Sequence, residues 1–280
     1  MKSGTLPTRR PFSKKAFIFL LVLIFPTVYA ALPYALAVTS TTADLGEWLI
    51  ISVASLLDVA IYGVCAVVGL YFAAHIGLGL PFVEKWLERR PDISRAPSIS
   101  AEEPMSDTIK HMLVFSVIIS IIFVAITLAL DHYIFSPLLQ AELEGLGVTI
   151  PEIPQPVAWQ GILVSFSAGV NEEVMFRLCG LTVLAWLGSL VSQNVDGRPT
   201  RAVLWTANIL VAVLFGLAHL PFTVAVGLPL TPLVIIRAVV LNGVAGIFLG
   251  WLYCTRGLES AMVAHFSADI FLHVILVSVL

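Results

Sequence analysis

Apolar positions along this chain gather into long runs, set apart by short polar connections. Seven runs, at about 16–38, 49–79, 109–132, 157–187, 202–220, 231–253 and 258–280, each reach the roughly 20 residues that a helix needs to cross a bilayer core. The pattern predicts an all-α fold, a polytopic membrane bundle of about seven transmembrane helices. No soluble domain fits between the runs, and no repeat or low-complexity tract breaks them.

Charge sorts the connections. The N-terminal tail carries Lys2, Arg9, Arg10, Lys14 and Lys15, and the 80–110 connection carries Lys85, Arg89, Arg90, Arg95 and Lys110. Arg198, Arg201 and Arg256 fall in later connections on the same side. The alternate connections, 39–48, 135–156 and 221–230, contain no Lys or Arg. The positive-inside bias therefore places the N-terminus in the cytoplasm and the C-terminus outside. It also divides the chain into a basic cytoplasmic tail (1–15), N-terminal membrane helices (16–132) with a cytoplasmic linker near 80–107, and a helix bundle over 155–280.

Local signals refine that outline. Lys14 and Lys15, the apolar stretch and Val28-Tyr29-Ala30 resemble a secretory signal with its cleavage site. The run continues to Val38, so a retained helix is expected. Pro91, Pro97, Ser98, Ser100, Glu102, Glu103 and Pro104 read as a flexible linker, and residues 82–89 just before it read as a short interfacial helix. The 221–230 stretch, with Pro221, Gly227 and Pro229, reads as a re-entrant loop covered by protein.

Composition agrees with a lipid setting. Hydrophobic residues make up 59% of the 280 positions and charged residues 12%, about half the usual quarter, with a mean hydropathy of +0.98. The net charge of -3 says little about partners, and no basic stripe argues for nucleic acid, so none is expected. Cys65, Cys179 and Cys254 have neither disulfide nor zinc spacing and read as free, buried thiols.

Ionisable residues inside a span mark a functional site by default. The fourth run holds Asn171-Glu172-Glu173-Val174-Met175-Phe176-Arg177. Glu173 and Arg177 stand at i, i+4 and can pair. Glu172 points about 100° away with no cation near it in sequence. The fifth run ends Phe215-Gly216-Leu217-Ala218-His219, and the seventh places His265, Asp269 and His273 on one helix face. Small residues (Gly243, Ala245, Gly246, Gly250) in the sixth let neighbours approach. Arg237 near the outer end of the sixth reads as a snorkelling side chain.

Two chemistries fit this set. Glu172 could act as a general base on water, with the histidines orienting that water and stabilising the oxyanion on a peptide carbonyl. Alternatively Glu172, His219, His265 and Asp269 could bind a divalent metal such as zinc that activates the water. No His-Glu-x-x-His and no Gly-x-Ser-x-Gly motif is present.

Three motifs in order on separate apolar helices, Glu172-Glu173-x-x-x-Arg177, Phe215-x-x-x-His219 and His265-x-x-x-Asp269, resemble the CPBP family of CAAX prenyl proteases and bacteriocin-processing or self-immunity proteins. The resemblance covers about 155–275. It implies an intramembrane endopeptidase of the glutamic type, in a prokaryotic cytoplasmic membrane, needing no cofactor. The implied partners are membrane lipids and a membrane-protein or hydrophobic peptide substrate. It assigns the catalytic base to Glu172, and the water-positioning and oxyanion roles to His219 and His265 with Asp269 beside them. Glu173, Arg177 and Phe215 support the site. At Asp269 the chain departs from the family, which often has Asn. An Asn amide donates to an oxyanion and an ionised Asp does not, so Asp269 suits orientation of His265 and adds a carboxylate to the metal alternative.

A geometric tension follows. At about 1.5 Å per residue, His265 lies roughly 10 Å from the cytoplasmic end of its helix and His219 roughly 25 Å from that of its own. The two meet only if the helices are offset or the fifth stops inside the membrane.

Overall fold

A computed structural model describes residues 12–39, 44–88, 104–148 and 154–276. Among these every regular element is helical: α1 (Lys14–Ala30), α2 (Leu32–Val38), α3 (Leu45–Ile76), α4 (Pro81–Glu88), α5 (Met105–Leu130), α6 (Ser136–Gly145), α7 (Ala158–Glu172), α8 (Thr182–Ser189), α9 (Arg201–Leu217), α10 (Leu220–Ala225), α11 (Pro232–Arg256) and α12 (Leu258–Ile270). Three π-helical segments, Asp131–Phe135, Glu173–Leu181 and Phe271–Leu276, continue α5, α7 and α12 without a break.

Six helical runs are long and apolar enough to cross a membrane: Lys14–Val38, Leu45–Ile76, Met105–Gly145, Arg201–Ala225, Pro232–Arg256 and Leu258–Leu276. The other run expected from sequence, 157–187, is the continuous helix α7–π–α8. Its length suffices, but Glu172, Glu173 and Arg177 at its centre keep it out of the strictly apolar set. These charges face inward, because Glu173 and Arg177 are both fully buried.

Helix ends follow local chemistry. Asp44 and Glu47 cap each other's backbone at the start of α3, and Thr200 and Thr231 cap α9 and α11 through their hydroxyls. Gly257 alone joins α11 to α12. Its φ of 98° and a wall formed by Pro81 leave no room for a side chain.

The bundle is built around α12, which packs on α5, α7 and α11, while α9 lies along α11 and α1 along α3 and α7. Leu178, Leu181, Leu249, Leu252 and Leu258 fill its centre with no exposure. Leu49, Ile50, Val53, Leu57 and Val64 on α3 point outward, an arrangement suited to lipid. Glycine permits the closest crossings: a Cβ on Gly69 of α3 would lie 2.5 Å from the Leu178 carbonyl, and one on Gly216 of α9 would lie 2.6 Å from Val239 Cα of α11.

Several local expectations are corrected. The third span does not end near 132; it runs through a π turn into α6. Residues 220–225 form a short helix, α10, so only the remainder of 221–230 is loop or turn before Thr231 caps α11. Arg237 is paired as well as near the span end: its Nε and Nη2 both donate to Asp131, each at 2.7 Å, because the π turn sets an acid beside it. The three thiols are free but only partly buried. The interfacial helix expected at 82–89 is α4, with Phe82 and Val83 buried and Trp86 exposed. The linker residues 91–100, 102 and 103 and the tail residues 1–11 lie outside the described residues.

Candidate active site

The two adjacent glutamates sit where α7 passes into its π segment, and they turn to different surroundings. Glu173 is fully buried. Its Oε1 lies 3.0 Å from Arg177 Nη1 and accepts a hydrogen bond of 2.8 Å from His265 Nδ1. Arg177 has no exposure either. It donates to the Gly246 carbonyl at 3.4 Å and stacks over the Phe215 ring at 4.4 Å. One carboxylate therefore balances one guanidinium and fixes one imidazole, which is how a buried ion pair becomes tolerable in an apolar bundle.

Glu172 faces the other way, into a cavity of about 290 Å³. Its Oε2 is buried and has no hydrogen-bond partner among the described residues; the nearest cationic nitrogen is His265 Nε2 at 3.9 Å. Glu172, His219, His265 and Asp269 all line this cavity, with Phe215 and Asn242. The structure thus brings together the four residues that sequence alone selected.

Both histidines are oriented by their Nδ1. A carboxylate and a carbonyl can only accept, so His265 Nδ1–H donates to Glu173 and His219 Nδ1–H donates to the Phe215 carbonyl at 2.7 Å. His265 Nε2 is then aimed at Glu172 and at Asp269, whose Oδ2 is 3.7 Å away. His219 Nε2 remains available to the cavity as an acceptor in the neutral ring.

His219 and His265 line one cavity despite their different places along their helices. Helix α9 ends at Leu217, so His219 sits on the turn before α10, and its ring folds back one turn to the Phe215 carbonyl. The Phe215 ring then stands edge-on between the two imidazoles, at 4.8 Å from His219 and 5.9 Å from His265. Among the described residues no group of three or more His, Cys, Asp or Glu side chains is arranged to hold a metal ion.

Other contributors were not selected from sequence. Thr27 of α1 donates to Asn171 Oδ1 at 3.1 Å, and Asn171 donates to Ser167, which ties α1 to the turn carrying the glutamates. Tyr34 of α2, Thr127 of α5 and Asn242 of α11 line the cavity. Each is a single polar residue in an apolar run, with no periodic partner to announce it.

No curated protein and no solved structure matches the chain. Residues 154–271 match the family described as type II CAAX prenyl endopeptidase Rce1-like. These are the helices that carry Glu172, His219, His265 and Asp269, and residues 154–271 form an Rce1-like domain of the CPBP/CAAX protease family.

Proposed function

We propose that this chain is an intramembrane endopeptidase of the glutamic type, hydrolysing a peptide bond of a membrane-associated or hydrophobic protein substrate. The observation that carries the reading is the division of labour between the glutamates. Glu173 is paired through its Oε1 with Arg177 and His265 and lies outside the cavity lining, whereas Glu172 presents a buried carboxylate oxygen, without a protein donor, to a cavity flanked by two oriented imidazoles.

The chemistry follows from those orientations. Water held between Glu172 and His219 Nε2 gives a proton to Glu172 as its oxygen attacks the scissile carbonyl carbon. Negative charge then builds on the carbonyl oxygen. His265, protonated on Nε2 and held by Glu173 through Nδ1, donates to that oxyanion. Asp269 Oδ2, 3.7 Å from the same Nε2, helps to hold the ring's orientation. Collapse of the tetrahedral intermediate breaks the C–N bond, and Glu172 returns its proton to the leaving amine. Arg177 takes no part in bond making; it pairs with Glu173, whose Oε1 holds His265 in place. The Lys and Arg distribution supports a cytoplasmic N-terminus.

The test uses purified protein in detergent with a quenched hydrophobic peptide library, with and without chelator, beside Glu172→Gln and His219→Ala. Cleavage that survives chelation and vanishes in both variants is the expected result. Cleavage lost on chelation and restored by one divalent ion would replace it with a metal mechanism at the same residues. A Glu172→Gln protein that retains full activity would sink the proposal.

A further inference from the structure

The cavity has a second polar feature, at the far end of the face that carries His265 and Asp269. His273, in the π segment that ends α12, shares a hydrogen bond of 3.1 Å between its Nδ1 and the Tyr34 hydroxyl, with the two rings edge-on at 5.3 Å. Both residues line the same cavity as Glu172. Both lie outside residues 154–271, the part of the chain that matches the protease family.

This pair is held in place from two sides. Gln160, near the start of α7, donates to the Pro33 carbonyl at 3.1 Å, fixing the residue before Tyr34. Gly161 beside it lets the chain of His273 approach, since a Cβ there would lie 2.7 Å from the His273 carbonyl. The opening turn of α7 therefore clamps α2 and the end of α12 together.

We propose that Tyr34 and His273 form a subsite that holds one main-chain peptide unit of the substrate, three to four residues from the scissile bond. The proposal rests on the endopeptidase reading of the cavity. Its chemistry is set by the pair itself. If Tyr34 donates to Nδ1, the free groups are Nε2–H and the phenol oxygen. If Nδ1–H donates to Tyr34, they are the phenol O–H and Nε2. Either arrangement leaves one donor and one acceptor, the complement of a peptide C=O and N–H.

The distance is set by the helix. His273 lies eight residues beyond His265 on one face, roughly 12 Å along the axis at 1.5 Å per residue. An extended chain covers about 3.3–3.6 Å per residue, so that span corresponds to about three to four residues of substrate. The rest of the cavity lining includes Phe123, Val124, Phe222, Leu241 and Leu272, which fits apolar side chains on the substrate. Tyr34 and His273 are thus positioning residues that set register, with the bond cleavage left to Glu172.

The test compares wild type, Tyr34→Phe and His273→Gln on the peptide that wild type cleaves best, resynthesised with single backbone esters at each position up to five residues either side of the scissile bond. An ester removes one N–H donor without changing side chains. One ester, three or four residues away, should lower wild-type kcat/KM about two- to tenfold, through KM. The same ester should have no effect in Tyr34→Phe, which keeps the ring and its packing, if the phenol oxygen is the acceptor, and none in His273→Gln if Nε2 is. Ester profiles that match wild type in both variants would overturn the subsite. If no peptide is cleaved, the hydrolytic reading fails separately, and anisotropy on Glu172→Gln protein of the tightest-binding library peptide, labelled and resynthesised with a single ester at each position, decides the subsite. A Kd loss confined to one ester and erased by Tyr34→Phe or by His273→Gln upholds it; a flat series or no binding rejects it.

Discussion

Replacing Arg177 with Met asks how much of the bundle depends on one neutralised charge. Met keeps an unbranched chain in the space beside Phe215 and removes the guanidinium, which lies 3.0 Å from Glu173 with side-chain exposures of 1% and 0%. At that burial no solvent screens the loss, and Glu173 is left with His265 as its only polar partner. Breaking a buried pair from one side costs about 3–5 kcal/mol. At about 2–4 °C per kcal/mol, the figure for chains of about 150–250 residues, melting should fall by about 6–20 °C. The double variant Glu173→Gln/Arg177→Met has no buried charge at this point, and its amide oxygen still accepts from His265. It should recover most of the loss, since replacing a buried pair by neutral groups is often close to neutral. The assay is thermal unfolding in detergent followed by tryptophan fluorescence on wild type, both single variants and the double. A single Arg177→Met variant melting within about 2 °C of wild type, or a double variant equal to the sum of the singles, would show that Glu173 is not a charge held by Arg177.

Two further substitutions probe other links. Gly216→Ala puts a Cβ against Val239 backbone atoms at 2.6 and 2.9 Å, where no side chain can swing away. Overpacking should cost about 1–3 kcal/mol, and, because His219 follows on the next turn, peptide cleavage should fall about tenfold or more; unchanged cleavage would show that the α9–α11 crossing does not position His219. Asp131→Asn removes one partner of the Arg237 pair, whose side chains are 26% and 32% exposed. If water at the membrane interface screens that pair, melting should drop by no more than the few degrees of a roughly 1 kcal/mol loss, and a drop of 10 °C or more would place the pair in the hydrocarbon.

The sequence makes the spans legible because lipid demands long apolar runs, and only a few departures from that rule are tolerated. Glu172, Glu173, Arg177 and Asp269 are such departures, and so they stand out. Glu173 and Arg177 could be paired from their spacing alone, since one turn of helix sets that distance. The contact of Glu173 with His265 could not, because 92 residues separate them and no local rule links α7 to α12. The pairing of Arg237 was hidden for the complementary reason. Its partner Asp131 stands at the end of a span, where an acid reads as the start of a loop, and the π turn that continues the helix past it has no clear sequence signature.

Tyr34 and His273 mark the limit of such reading. A tyrosine near the end of a membrane helix is an ordinary interfacial residue, and a lone histidine on an apolar face is ordinarily a core residue. Only their convergence on the cavity that holds Glu172 gives the two together a chemical meaning. Three things produce that convergence: the Gly161 contact, the Gln160–Pro33 hydrogen bond and the packing of α2 on α7. The same logic explains why chemistry and register are separable here. Residues from α7, the turn between α9 and α10, and α12 inside 154–271 carry the groups suited to breaking a peptide bond. A wall of that cavity comes from α2 and from the last turn of α12, so changes there can alter which segment is presented without touching Glu172.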